Sequence, residues 1–420
     1  MFYLLFTLYL ALFCWVITRV KFFKETNFDK RILIVLFLAR VLVGLINGYI
    51  NVYYYNILTD TANFQNQGIT EYHLLFQNPQ EYFINIFQSN RANSYSGFLE
   101  STGSFWNDTR SNLIIKMLSI FNIFSRTNFF INTLLYNFLV FFGTVAMYKV
   151  FIRIFPTHKY VLIILIFLLP SVIYFSSAIH RDGLIFLSLS MIIYHLFFLM
   201  KTRVFIFKRI FLSLLFLGLI LLLRNFVFIA LVPALLAWII AERKPNYAFV
   251  IFLGIYFFLA VLFFATSFLP PSMNLPAHVS SRQLDFIKIA KLGSSAININ
   301  PLYPGFRSFL NNIPQALNHT LMRPYFTEHQ NFFYIPAGLE ILLYEILFLF
   351  FIFFRKKTAI FPPIVYFSIF FSLTMFLIIG YTIPIVGAIA RYRSVYFPFF
   401  LIPIVCYTDW EKIKRTLIFK

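Results

Sequence analysis

His180, Arg181 and Asp182 stand together at the end of Pro170-Ser-Val-Ile-Tyr-Phe-Ser-Ser-Ala-Ile-His-Arg-Asp-Gly183, between two strongly apolar stretches. Ionisable groups at a membrane boundary are costly unless they bind something or bind each other. A carboxylate here can take the proton of an acceptor hydroxyl, which is general-base chemistry. A guanidinium fork grips phosphate oxygens in pairs. Similar residues recur elsewhere: Asp60 in Tyr-Asn-Ile-Leu-Thr-Asp-Thr-Ala, Arg224, Arg323-Pro-Tyr-Phe-Thr-Glu328, and Arg391-Tyr-Arg393. Arginines around a few acids suit a mono- or diphosphate headgroup carrying a sugar, with the lipid tail lying between helices. Asp60 and Asp182 are the candidate bases, Arg181, Arg224, Arg323, Arg391 and Arg393 the candidate phosphate ligands, and His180 and Glu328 supporting groups. Plainer readings stand beside each: Arg181-Asp182 as a pair closing a helix turn, Asp60 as a solvated carboxylate, Arg391 and Arg393 as anchors on lipid phosphates.

The elements that must position these residues are membrane helices. The chain is 60% hydrophobic and 12% charged, against roughly 25% charged in a soluble domain. Its apolar runs are continuous, which excludes a barrel of strands of about ten alternating residues. The expectation is an all-α polytopic membrane protein, one integral membrane domain over 1–420. Cys14 and Cys406 both fall inside apolar segments and suggest neither a disulfide framework nor a zinc site. Residues 2–18 lack a basic leading region and a small-residue cleavage site, and read as a retained helix. No nucleotide, dinucleotide or metal-protease signature occurs, so no cofactor and no metal are expected.

The apolar runs predict about eleven spans, near 2–19, 32–54, 128–148, 160–179, 184–200, 210–223, 225–241, 247–268, 336–354, 358–379 and 394–408. With the N-terminus outside and the C-terminus cytoplasmic, the inner segments are 20–31, 149–159, 201–209, 242–246, 355–357 and the tail. With Arg19 they hold 21 of the 35 basic residues in a small minority of the chain. That asymmetry is a positive-inside signature. The net charge of +20 is therefore read as topology and attraction to anionic lipid, not as nucleic acid binding.

Two long extracytoplasmic segments remain, about 55–127 and 269–335, with residues 112–124 reading as one interfacial helix. The stretch 210–241 reads as one long tilted helix or as two short ones joined at Arg224-Asn225; two keep every downstream basic cluster inside. In the membrane interior, Arg40 and Glu345 fall at matching depths, about 13 and 15 Å from their basic flanks at 1.5 Å per residue. They are expected as a structural pair, the alternative being an Arg40 that snorkels to the interface.

Pro170-Ser171 followed by Ser176-Ser-Ala-Ile-His-Arg-Asp-Gly183 resembles the Pro-Ser…Ser…(Lys/Arg)-Asp segment of membrane proteins encoded with bacterial surface-polysaccharide machinery. Arg391-Tyr-Arg-Ser-Val-Tyr-Phe-Pro398 is similar to an Arg-Tyr-Arg…Pro element near the end of many GT-C-type glycosyltransferases. Arg323-Pro-Tyr, soon followed by Ala337-Gly-Leu-Glu340, also occurs in such proteins. The resemblance implies a polyprenyl-phosphate-linked sugar as substrate and a catalytic aspartate in the first large extracytoplasmic loop, by position Asp60. Here that loop follows the second helix, not the first, and Thr61 stands where an acidic pair is common. O-antigen-polymerase-like proteins work on the same lipid class with arginines in outer loops, so that reading stays open.

The expected function is thus a membrane glycosyltransferase or polysaccharide polymerase acting outside the cytoplasmic (inner) membrane on a polyprenyl-linked sugar or glycan. Its partners would be membrane lipids and polysaccharide-assembly proteins. A transporter or flippase of lipid-linked glycan or another anionic solute, and a non-catalytic envelope-assembly scaffold, are the competing classes.

Overall fold

Short polar residues start the helices that carry the site. In the computed structural model, which describes residues 2–26, 28–54, 59–85, 105–290, 295–325, 328, 335–357 and 361–418, α1 runs Phe2–Arg19. Asp29 accepts from Arg31 N and opens α2, Lys30–Tyr49, which continues as a π turn over Ile50–Tyr54. Thr59 accepts from Ala62 N and opens α3, Asp60–Gln77. Next come α4, Phe105–Ser125, and α5, Phe129–Ile154, capped by Asn128 accepting from Ile131 N. Each cap satisfies a backbone donor that the first helical turn leaves without a partner.

Pro170 changes the next element. The helix expected over 160–179 is broken: a π turn over Ile164–Leu168 stops at an extended Leu169, and α6, Pro170–Ser177, departs at 43°. Proline has no N–H to give the preceding turn and drives the residue before it out of helical geometry. The chain then passes through extended Ala178 and His180 into α7, Arg181–Thr202.

The ambiguous stretch after it resolves as two helices, α8 at Ile206–Leu223 and α9 at Asn225–Arg243, with Arg224 extended between them. The first starts four residues earlier than the apolar run alone indicates, because Lys208 and Arg209 sit in its opening turns. Its 18 residues rise about 27 Å, close to the roughly 30 Å of a bilayer's hydrocarbon.

The chain divides into two compact units, Met1–Phe228 and Ile229–Lys420. In the first, α5 is the central helix, buried along most of its length. Residues 112–124 are helical as expected, but this part of α4 is not simply laid on a surface. Ile114, Ile115, Leu118, Ser119 and Asn122 are buried, and Lys116 bridges Glu71 of α3 at 2.5 Å while its ammonium lies 3.6 Å from the Tyr82 ring centre.

In the second unit, α10 (Ala248–Ala265) is followed by two non-spanning helices, α11 (Leu275–Ala290) and α12 (Phe306–Leu321). Then come α13 (Ile335–Phe354), α14 (Pro363–Thr382), α15 (Val386–Ser394) and α16 (Phe397–Cys406). The last pair replaces the single helix expected at 394–408 and bends by 64°. Pro398 in the first turn of α16 cannot continue the hydrogen-bond ladder of the helix before it. Among the described residues the protein is all-helical. Nine helices among the described residues are long and apolar enough to cross a membrane, or up to eleven if each bent pair is one span. The chain is a multi-pass membrane protein.

Candidate functional site

The start of α3, the α6–α7 link and the end of α8 bring four ionisable side chains of the first unit into one line. Asp60 is the first residue of α3, and its Oδ2 lies 3.2 Å from His180 Nε2. The other ring nitrogen, Nδ1, is 2.9 Å from Asp182 Oδ2. The opposite carboxylate oxygen of Asp182 is 2.6 Å from Arg224 Nη2. Only one end is exposed: the Asp60 side chain is 60% exposed, His180 6%, Asp182 0% and Arg224 5%.

Both carboxylates begin helices, where the helix dipole favours negative charge. Arg224 balances the charge of the fully buried Asp182, and it occupies the non-helical residue between α8 and α9. The imidazole thus has a carboxylate oxygen within 3.2 Å of each ring nitrogen, one exposed and one buried.

Arg181 turns away from this line. Its Nη2 donates to Ser111 Oγ at 3.0 Å, and its guanidinium lies 5.5 Å from the Phe64 ring centre. The Phe64 ring is 6.0 Å from that of His180, so one aromatic side chain borders both the arginine and the imidazole. A guanidinium separated from the imidazole by one ring can bind an anionic group near it.

Arg40 makes its hydrogen bonds within the same unit. It is 4% exposed, and Nη2 donates to the Ser176 carbonyl at 2.5 Å and Ser176 Oγ at 3.1 Å. Its Nη1 reaches Thr144 Oγ1 at 3.4 Å. The Ser176 carbonyl lies at the end of α6, where the helix dipole favours a cation. Glu345 lies on α13 and is half-buried.

The second unit has its own cluster. Arg393 is 3% exposed, and Nη1 donates to the carbonyls of Thr320, at 2.7 Å, and Arg323. Arg323 Nη1 pairs with Glu328 Oε1 at 2.9 Å, and the other Glu328 oxygen accepts from Tyr325 N at 3.1 Å. Arg391 donates to the Tyr392 hydroxyl at 3.4 Å and lies 5.1 Å from that ring's centre. In the same cluster, His319 is 2% exposed. Burial, helped by the charge of Arg323, lowers its imidazole to about 4.

The structure therefore joins Asp60, His180, Asp182 and Arg224 directly, with Arg181 alongside. Arg224 and Arg393, expected as phosphate ligands, spend bonds on a buried carboxylate and on backbone carbonyls, which are positioning tasks. Tyr136 and Asn137, which hold the His180 segment, were not among the expected residues. Their signal was present: polar side chains inside the apolar stretch 129–150 mark internal contacts. Among the described residues, no group of three His, Cys, Asp or Glu side chains is arranged to hold a metal ion.

Comparison with protein-family models, curated proteins and solved structures gives no match.

Proposed function

We propose that this protein transfers or polymerises sugars carried on a polyprenyl phosphate, at the extracytoplasmic face of the cytoplasmic membrane. The observation that carries the reading is the Asp60–His180–Asp182–Arg224 line, an exposed carboxylate backed by a buried imidazole and a buried ion pair. The acceptor hydroxyl gives its proton to Asp60 and through it to His180. The freed oxygen attacks the anomeric carbon of the lipid-linked sugar. The bond from that carbon to the phosphate oxygen breaks, and the lipid phosphate leaves with the electron pair. Arg181, which shares the Phe64 ring with His180, takes the phosphate charge. The positive-inside distribution of basic residues supports reading this end of the helices as the outer one. Membrane lipids and polysaccharide-assembly proteins are the partners this reading implies.

The test is glycan assembly in cells carrying Asp60→Asn, His180→Gln or Asp182→Asn, with the amount of protein in the membrane measured alongside. Loss of a general base lowers rate by about 10²–10⁴-fold, so glycan length or yield per molecule of membrane protein is expected to collapse. Normal glycan in all three variants refutes the proposal.

A second reading, transport of lipid-linked glycan, is favoured by one observation. Each unit holds one broken span, at Leu168/Pro170 and at Ser394/Phe397, and discontinuous helices are a feature of transporter binding sites. Proteoliposomes loaded with polyprenyl-diphosphate-linked oligosaccharide separate the two: transfer yields a longer glycan, transport only moves the lipid between leaflets.

A further inference from the structure

The short link that carries His180 is held by side chains from two other helices. A helix end leaves its last carbonyls without intrahelical partners, and α6 ends inside the first unit. Its Ser176 carbonyl accepts from Arg40 of α2 at 2.5 Å, and its Ser177 carbonyl accepts from Asn137 of α5 at 2.9 Å. Three residues on, the Tyr136 hydroxyl of α5 donates to the carbonyl of His180 itself. Close approach is built in at Gly44 of α2, where a Cβ would lie 2.5 Å from Asn137 Nδ2 and 3.0 Å from the Ser177 carbonyl oxygen. The backbone of His180 is extended, φ −153°, so the direction of its ring depends on where these carbonyls are fixed.

We infer that Arg40 is a positioning residue for His180: by capping the end of α6 it fixes the α6–α7 link so that the imidazole sits between Asp60 and Asp182. A buried guanidinium is costly, and its forked donors and fixed charge suit it to a helix C-terminus whose dipole favours a cation. Arg40 holds the start of the link and Tyr136 the other end, so loosening either lets the ring leave the line. The effect on activity rests on the proton-transfer reading above; the effect on the ring does not.

The experiment therefore reads the ring directly. The purified full-length protein, in detergent, is treated with diethyl pyrocarbonate, and the modification rate of each histidine is followed by mass spectrometry. His195 and His319, 7% and 2% exposed, serve as buried controls. Loss of one hydrogen bond to a charged group is worth about a factor of ten or more. Arg40→Met is expected to raise His180 modification about tenfold, and Tyr136→Phe, which loses a neutral hydrogen bond, about fivefold, with His195 and His319 unchanged and Arg40→Lys lying between natural protein and Arg40→Met. If Arg40→Met does not accumulate, Arg40→Lys, which keeps the cation but not the fork, decides by the same comparison.

An unchanged His180 rate overturns the inference, as does an equal rise at all three histidines, which would mean general loosening. Glycan assembly in the same variants separates the two ideas. A loosened His180 with normal glycan keeps the positioning role and removes the catalytic reading. An unchanged His180 rate with lost glycan does the reverse.

Discussion

Asp182 and Arg224 form an ion pair of 2.6 Å in which the carboxylate has no exposed surface and the guanidinium side chain keeps 5%. The pair closes the end of α8 onto the first turn of α7, and its other face holds His180 at 2.9 Å. Removing one partner of such a pair leaves a buried charge uncompensated, which costs about 3–5 kcal/mol, whereas replacing both is often close to neutral.

Asp182→Asn and Arg224→Met are each expected to lower membrane abundance and thermal stability by an amount in that range. The double variant Asp182→Leu/Arg224→Met should recover most of the stability and none of the glycan synthesis. A double variant as unstable as the singles would show that the pair does not act as a unit.

The architecture was largely legible in the sequence, and the reasons are specific. Continuous apolar runs bounded by basic residues locate the helices within a few residues, and Arg224 inside an apolar stretch marks a real break. The bends at Pro170 and Pro398 were also written there, yet apolar length alone reads through a proline. Side-chain pairing was less legible. Arg40 and Glu345 match in depth, but depth along a helix says nothing of azimuth, and carbonyls at the end of α6 are invisible in a sequence that reads as one unbroken helix. Likewise, the link from Asp60 to His180 joins residues 120 apart in the chain, and only packing shows it.

Gly183 tests how tightly the site segment is seated. A Cβ at this position would lie 2.3 Å from the Tyr136 hydroxyl and 2.4 Å from the Ser176 carbonyl oxygen. Gly183→Ala is therefore expected to destabilise by about 1–3 kcal/mol and to disturb His180, because the two groups displaced are those that hold its link. At Gly218 and Gly254 a Cβ meets nothing within 4 Å. Gly218→Ala and Gly254→Ala should be neutral or stabilise by up to about 1 kcal/mol. Equal thermal shifts in all three variants would contradict the packing at Gly183.

His319 sets an acid limit for the second unit. Its imidazole is held at about 4 by burial and by Arg323, below the unfolded value of about 6.5. A histidine lowered in this way favours the unfolded state once that state binds the proton. Its contribution is thus intact above about pH 6.5 and is lost as pH falls towards 4, on the order of 2 kcal/mol by pH 5. Melting followed from pH 7 to 5 should fall more steeply in the natural protein than in His319→Gln. Parallel curves would show that His319 is not buried neutral.

Gln283 makes the last test, because one side chain satisfies three backbone groups. Its Nε2 donates to the carbonyls of Asn300, at 3.2 Å, and Tyr381, at 2.8 Å, while Oε1 accepts from Leu302 N at 2.7 Å. The residue is 2% exposed, so these groups have no ready access to water. Together they fasten the non-helical segment 295–303 to α11 and to the end of α14. Gln283→Met leaves the backbone groups without partners, each costing about 1–3 kcal/mol. Gln283→Glu keeps the acceptor for Leu302 but sets a carboxylate against two carbonyl oxygens, and should be at least as damaging. Limited proteolysis of the membrane-embedded protein reads this locally: cleavage within 295–303 is expected to accelerate in both variants, while the first unit keeps its natural pattern. Unchanged cleavage in both would mean that the segment is held by other contacts.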